Sequence, residues 1–131
     1  MLKIILLLVV LGYPQITTRA LYDPVPDVFN VNTGTLTTTT AYTSHVEQTD
    51  SEPCVSADGS DICKLYAAGQ LVCASNAYPL GSTLYVDGYG ECVVADRMNK
   101  RYNKRVDVYF GYDRARALNW GKRNVLVLKI N

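Results

Sequence analysis

The second half of this chain alternates between apolar and polar positions in short runs broken by turn residues. Residues 105–109, Arg105-Val106-Asp107-Val108-Tyr109, alternate strictly, the period of a half-buried strand. Residues 40–44, 71–75 and 124–130 read as further strands. Residues 83–87 lead through Gly88-Tyr89-Gly90 into residues 91–95, which predicts a hairpin with a glycine-rich turn. One helix is expected between Asp113, an N-cap, and Gly121, a C-terminal stop. Ala115, Leu118 and Trp120 would dock it. Many short strands with one short helix predict a mostly β protein, a small closed barrel.

The first forty residues lack this pattern. Met1-Leu2-Lys3 precedes an unbroken apolar run from Ile4 to Leu11. The run is too short to span a bilayer comfortably, a task for about 20 residues. It suits the core of an export signal, with a cleavage point after Ala20. Residues 21–38 carry Pro24, Pro26 and Gly34 without apolar period, so a disordered linker is expected there. The folded domain is expected over residues 39–131. The protein would be exported to the envelope or beyond it, touching membrane only through its N-terminal segment.

Composition narrows the function. A chain of 131 residues, 48% of them hydrophobic, suits one domain. A net charge of +1 argues against a nucleic-acid binder. Basic residues nevertheless gather between Arg97 and Arg123, while residues 47–61 are acidic. The four cysteines lack C-x-x-C spacing, and the single histidine, His45, is far from them in sequence. That disfavours zinc and favours two disulfides in an oxidising compartment. Three connectivities are open. Cys54–Cys63 with Cys73–Cys92 is the favoured one, closing a short loop and tying two neighbouring strands. No phosphate loop or metal-ligand cluster is present, so no cofactor or metal is expected. The expected state is a monomer. His45 is expected on a rim rather than as a base.

The candidate chemistry lies at Asp96 and Asp107, at the ends of two predicted strands joined by a basic, turn-rich segment. Paired carboxyls of this kind perform acid/base chemistry on sugars. Residues 78–86 (YPLGSTLYV), Val94-Ala95-Asp96-Arg97, residues 105–110 (RVDVYF) and Ala117-x-x-Trp120-Gly121-Lys122-Arg123 together resemble the three-aspartate (3D) domain. The resemblance covers nearly the whole predicted domain. It implies a six-stranded double-psi β-barrel similar to that of the membrane-bound lytic transglycosylase A family, acting on the glycan strands of peptidoglycan. It further implies Asp107 as the acid/base and Asp96 as the second family aspartate. The first family aspartate is missing: Asn76 or Ala74 stands in its place. Asn76, Arg97, Arg105 and Tyr109, within or beside the matching segments, are the expected substrate-binding residues. The alternative expectation is a barrel that binds cell-wall glycan without cleaving it.

Overall fold

The computed structural model describes residues 34–45 and 52–131. The export segment of residues 1–20 and most of the expected linker lie outside the described residues. Six strands form: β1 (Thr35–Tyr42), β2 (Leu71–Ser75), β3 (Thr83–Val86), β4 (Gly90–Asp96), β5 (Val106–Tyr109) and β6 (Arg123–Lys129). They close into a barrel in the order β1-β5-β2-β4-β3-β6. Closure leaves no unpaired sheet edge. β1 pairs parallel with β5, and β2 parallel with β4; the other neighbours are antiparallel. Parallel partners distant in sequence require crossing connections, as expected for the double-psi arrangement.

Alternation along each strand sorts side chains to two sides. Cys73, Leu84, Val86, Cys92, Val94, Val106, Val108 and Val127 fill the interior. A second, outer cluster of Ile62, Val72, Ala95 and Tyr109 lies under a helix and takes in Tyr42, Leu65 and Tyr66. Both favoured disulfides form. Cys73–Cys92 joins β2 to β4 inside the barrel, and Cys54–Cys63 staples the loop before that helix.

Three expectations need correction. The first strand begins at Thr35, not at Thr40, and pairs with β6 from Thr35↔Val127 to Thr39↔Arg123. Its pattern is inverted, with Thr37 and Thr39 buried and Leu36 exposed, so an apolar-inward template misses it. β-branched threonine suits a strand once β6 supplies the partner. Second, the described residues form two helices rather than the one expected. α1 (Ile62–Ala67) has only six residues, too few to show a helical period, and starts where the Asp61 carboxylate accepts the Lys64 N–H at 3.0 Å. Third, α2 (Arg114–Trp120) has the expected Asp113 cap and Gly121 stop, but presents Ala117 and Trp120 to the barrel. Ala115 and Leu118 face outward. The Trp120 ring turns its Nε1–H to Thr39 Oγ1 at 3.2 Å.

Candidate active site

The two aspartates meet on the outer face of the barrel because of one irregularity in β4. By simple alternation Cys92 and Val94 point inward, Val93 and Ala95 outward, and Asp96 would point inward again. The β2–β4 register runs Leu71↔Cys92, Val72↔Val93, Cys73↔Val94, and then skips to Ala74↔Asp96. A β-bulge of this kind re-aims the following side chain. Ala74 also pairs with Asp107 on β5, and Asp107 pairs with Thr40 on β1. Thr40, Asp107, Ala74 and Asp96 therefore form one row across four strands. The aspartate backbones are two strand spacings apart, roughly 10 Å, with only the Ala74 methyl between them.

Asp107, Ala74 and Asp96 of that row line a cleft of about 560 Å³. Its other walls come from Tyr42, the loop of Glu52, Pro53, Val55, Ser56 and Ala57, and the β4–β5 connection through Arg97, Met98, Asn99 and Tyr102. Asp107 Oδ1 is closed off from solvent and has no hydrogen-bond partner. Burial pushes the Asp107 carboxyl up to about 7; a hydrogen bond with Thr40 opposes this, the Asp96 charge adds to it, and Arg105 opposes it. Among the described residues no cation forms an ion pair with Asp107. An unpaired carboxyl buried beside a second carboxyl holds its proton to higher pH, as an acid catalyst at neutral pH must.

Asp96 is held differently. Its Oδ1 accepts the Ala57 N–H at 3.0 Å and the Arg97 N–H at 2.9 Å. The first bond ties the stapled loop to the cleft floor. That loop is braced further by Asp58, whose Oδ1 accepts from Ser56 Oγ at 2.6 Å and Ser60 N at 2.8 Å. Burial works against the Asp58 charge, but the bonds from Ser56 and Ser60 outweigh it and lower its pKa.

The expected substrate-binding residues divide. Arg97 lines the cleft, although one guanidinium nitrogen donates to the carbonyls of Ser75 and Tyr78, each at 2.6 Å. Asn76 does not reach the cleft. Its amide donates to the Met98 and Asn99 carbonyls and accepts from Met98 N, all at 3.0 Å, so it anchors the β4–β5 connection. Of Ala74 and Asn76, it is Ala74 that lies between the aspartates. Arg105 stacks on Tyr102, 4.4 Å from the ring centre, with Arg101 also on that ring at 4.6 Å. Arg105 thus acts on Asp107 only through its field. Tyr109 is fully buried under α1, its hydroxyl bonded to Ser44; a tyrosine at this alternating position packs rather than binds. His45 sits away from the aspartates, its Nε2–H donating to the Tyr112 carbonyl at 3.0 Å. Cys54, Asp61 and Cys63 come close enough together to suggest a metal site, but the disulfide occupies both sulfurs.

One residue of the cleft carries no motif signal. Tyr42 contributes a hydroxyl that is buried, without a hydrogen-bond partner, in the same wall as the aspartates. Burial raises its pKa well above the ordinary phenol value, and the Asp96 and Asp107 charges add to the effect. In sequence it is one of ten tyrosines, and only its place at the end of β1 distinguishes it.

Comparison with known proteins gives a partial likeness. No protein-family model matches the chain. The cell wall-binding protein YocH of Bacillus subtilis (strain 168) is 36% identical over 77 residues, 59% of this chain and 26% of that protein. The putative cell wall shaping protein YabE of the same organism is 34% identical over 56 residues, 43% of this chain and 14% of that protein. The chain spans about a quarter or less of the length of these relatives.

Proposed function

We propose that this chain is an exported cell-wall protein with a 3D-type barrel, and that its outer cleft binds the glycan strands of peptidoglycan and cleaves them as a lytic transglycosylase. The observation that carries the reading is Asp107: an unpaired, buried carboxyl with a pKa of about 7, two row positions from a second carboxyl in an open cleft. The likeness to a cell wall-binding protein and a cell wall shaping protein supports the substrate.

One carboxyl is enough for this reaction. Protonated Asp107 gives its proton to the glycosidic oxygen as the C1–O bond breaks, leaving a free hydroxyl on the departing sugar. The sugar left behind carries positive charge at C1 and its ring oxygen. Asp107, now ionised, takes the proton of that sugar's own 6-hydroxyl, whose oxygen bonds to C1 and closes an anhydro ring. The acid is regenerated and water is not consumed. Asp96 keeps the Asp107 proton in place through its like charge, and Arg97 and the Tyr102 stack border the cleft on the side facing an anionic strand.

A second reading is favoured by Ala74. Where a third carboxyl could stand, there is a methyl group, which suits a barrel that binds glycan without cutting it. Incubation with purified sacculi separates the two. The cleavage reading expects soluble anhydro-muropeptides by mass spectrometry, while co-sedimentation without release would establish the binding reading in its place.

A further inference from the structure

Two buried polar atoms in the cleft wall have no partner: the Tyr42 hydroxyl and Asp107 Oδ1. Leaving such a group unpaired is unfavourable. Elsewhere among the described residues the buried side-chain polar groups are satisfied: Trp120 has Thr39, Tyr89 has the Val72 carbonyl, and Ser75 has the Arg105 carbonyl. Both exceptions border one cleft.

The position of Tyr42 is built. On β1 it lies two residues beyond Thr40, the register partner of Asp107, which puts it diagonal to Asp107 on the same face, a separation an aromatic side chain bridges. Its ring packs on Tyr109 with centroids 5.0 Å apart, and Tyr109 packs on Tyr66 at 5.3 Å. A ring braced in this way cannot swing its hydroxyl to another partner. Burial keeps the phenol neutral, the Asp96 and Asp107 charges adding to the effect, so it is a donor across the physiological range. Those same carboxyls repel an anionic ligand atom, so the complementary group is uncharged.

We propose that Tyr42 is a substrate-contact residue, its hydroxyl donating a hydrogen bond to a sugar hydroxyl held between it and Asp107. One hydroxyl satisfies both orphans, accepting from Tyr42 and donating to Asp107 Oδ1. This deepens the glycan reading of the cleft and rests on it. A phosphate, or a carboxylate of a peptide stem, does not fit the place.

The test is Tyr42→Phe, which removes one oxygen and keeps the packing ring. Affinity for purified, uncrosslinked peptidoglycan glycan strands is measured by calorimetry in an Asp107→Asn background, so that cleavage does not interfere, with Tyr or Phe at residue 42. The expected result is a loss of roughly 3–10-fold, the size of one neutral hydrogen bond, constant from pH 5 to 8, with a melting temperature equal to or above that of the parent. Equal affinity of the two proteins overturns the inference, and so does an absence of measurable strand binding by the parent. A melting temperature that falls in proportion to affinity also overturns it, because the hydroxyl would then serve the fold. Release of anhydro-muropeptides by the wild-type protein is scored separately. Its absence sinks the cleavage reading while the affinity comparison still decides the role of Tyr42.

Discussion

The barrel interior and the outer cleft treat buried polar groups in opposite ways. Inside, Trp120 Nε1–H donates to Thr39 Oγ1, and Thr39 Oγ1 donates in turn to the Arg123 carbonyl at 3.0 Å. The disulfide Cys73–Cys92 is wholly enclosed by apolar neighbours. In the cleft, Tyr42 and Asp107 each leave an atom unsatisfied, and two carboxyls share one hollow. The interior lowers its free energy with every contact. The cleft retains unfavourable electrostatics that a ligand can relieve, the usual pattern of a functional site. Substitutions should therefore separate cleanly: interior changes act on stability, cleft changes on chemistry.

The largest separation is expected at Asp107. Asp107→Asn keeps the side-chain shape but cannot give a proton to the glycosidic oxygen. Release of anhydro-muropeptides should fall by about 10²–10⁴-fold, the usual worth of general acid/base catalysis, while the fold persists by circular dichroism. Wild-type release by this variant would end the catalytic assignment.

In the interior, Leu84→Ala should do the reverse. Leu84 is fully buried, and truncation there costs about 2–5 kcal/mol. Release per folded molecule, measured well below the melting temperature, should change little. A variant that kept its stability but lost release would break the division between the two regions.

The disulfides allow a finer comparison. Replacing Cys73 and Cys92 together by alanine opens a loop with a sequence separation of 19 and should cost about 2–4 kcal/mol in denaturant melts. Replacing Cys54 and Cys63 opens a separation of only 9, so less stability should be lost. The latter pair staples the loop whose Ala57 N–H holds Asp96, so weaker glycan binding is the effect to look for.

The smallest effects are pH shifts. Asp107 titrates near 7 in the folded protein against 3.8 ordinarily, through burial, the Thr40 bond, the Asp96 charge and the opposing Arg105. Between those values the folded state holds a proton that the unfolded state has released. This contribution to stability is complete below about pH 4 and is lost as pH rises through about 7. Asp107→Asn removes the titration, so its melting temperature should rise relative to wild type across that window and stay higher at pH 8. Cleavage needs the protonated acid, so its rate should decline above pH 7. Asp96→Asn removes a like charge and should move that decline to lower pH by less than about one unit. A decline left in place would show that Asp96 does not act on Asp107.

Elements whose signals are local could be read from the chain alone. The alternation of residues 105–109 predicts β5, the Gly88-Tyr89-Gly90 turn predicts the β3–β4 hairpin, and Asp113 and Gly121 bound α2. Those signals depend on residues adjacent in the chain, so they survive without a partner. Asp96 and Asp107 could also be named, because carboxyls at strand ends stand out chemically. Features that depend on pairing emerge only once the strands are assembled. The skip from Val94 to Asp96 opposite β2 turns Asp96 outward onto the row of Asp107, and no local pattern records a register shift. The partnership with β6 draws Thr35 to Thr38 into the barrel. Helix α1 covers Tyr109 and leaves Tyr42 at the margin of the cleft, so which tyrosine packs and which faces a ligand is set by a neighbour that the strand sequence does not specify. Asn76 shows the same limit: its amide serves the backbone of Met98 and Asn99, more than twenty residues away, and a hydrogen-bonding side chain does not announce whether its partner will be the chain or a ligand.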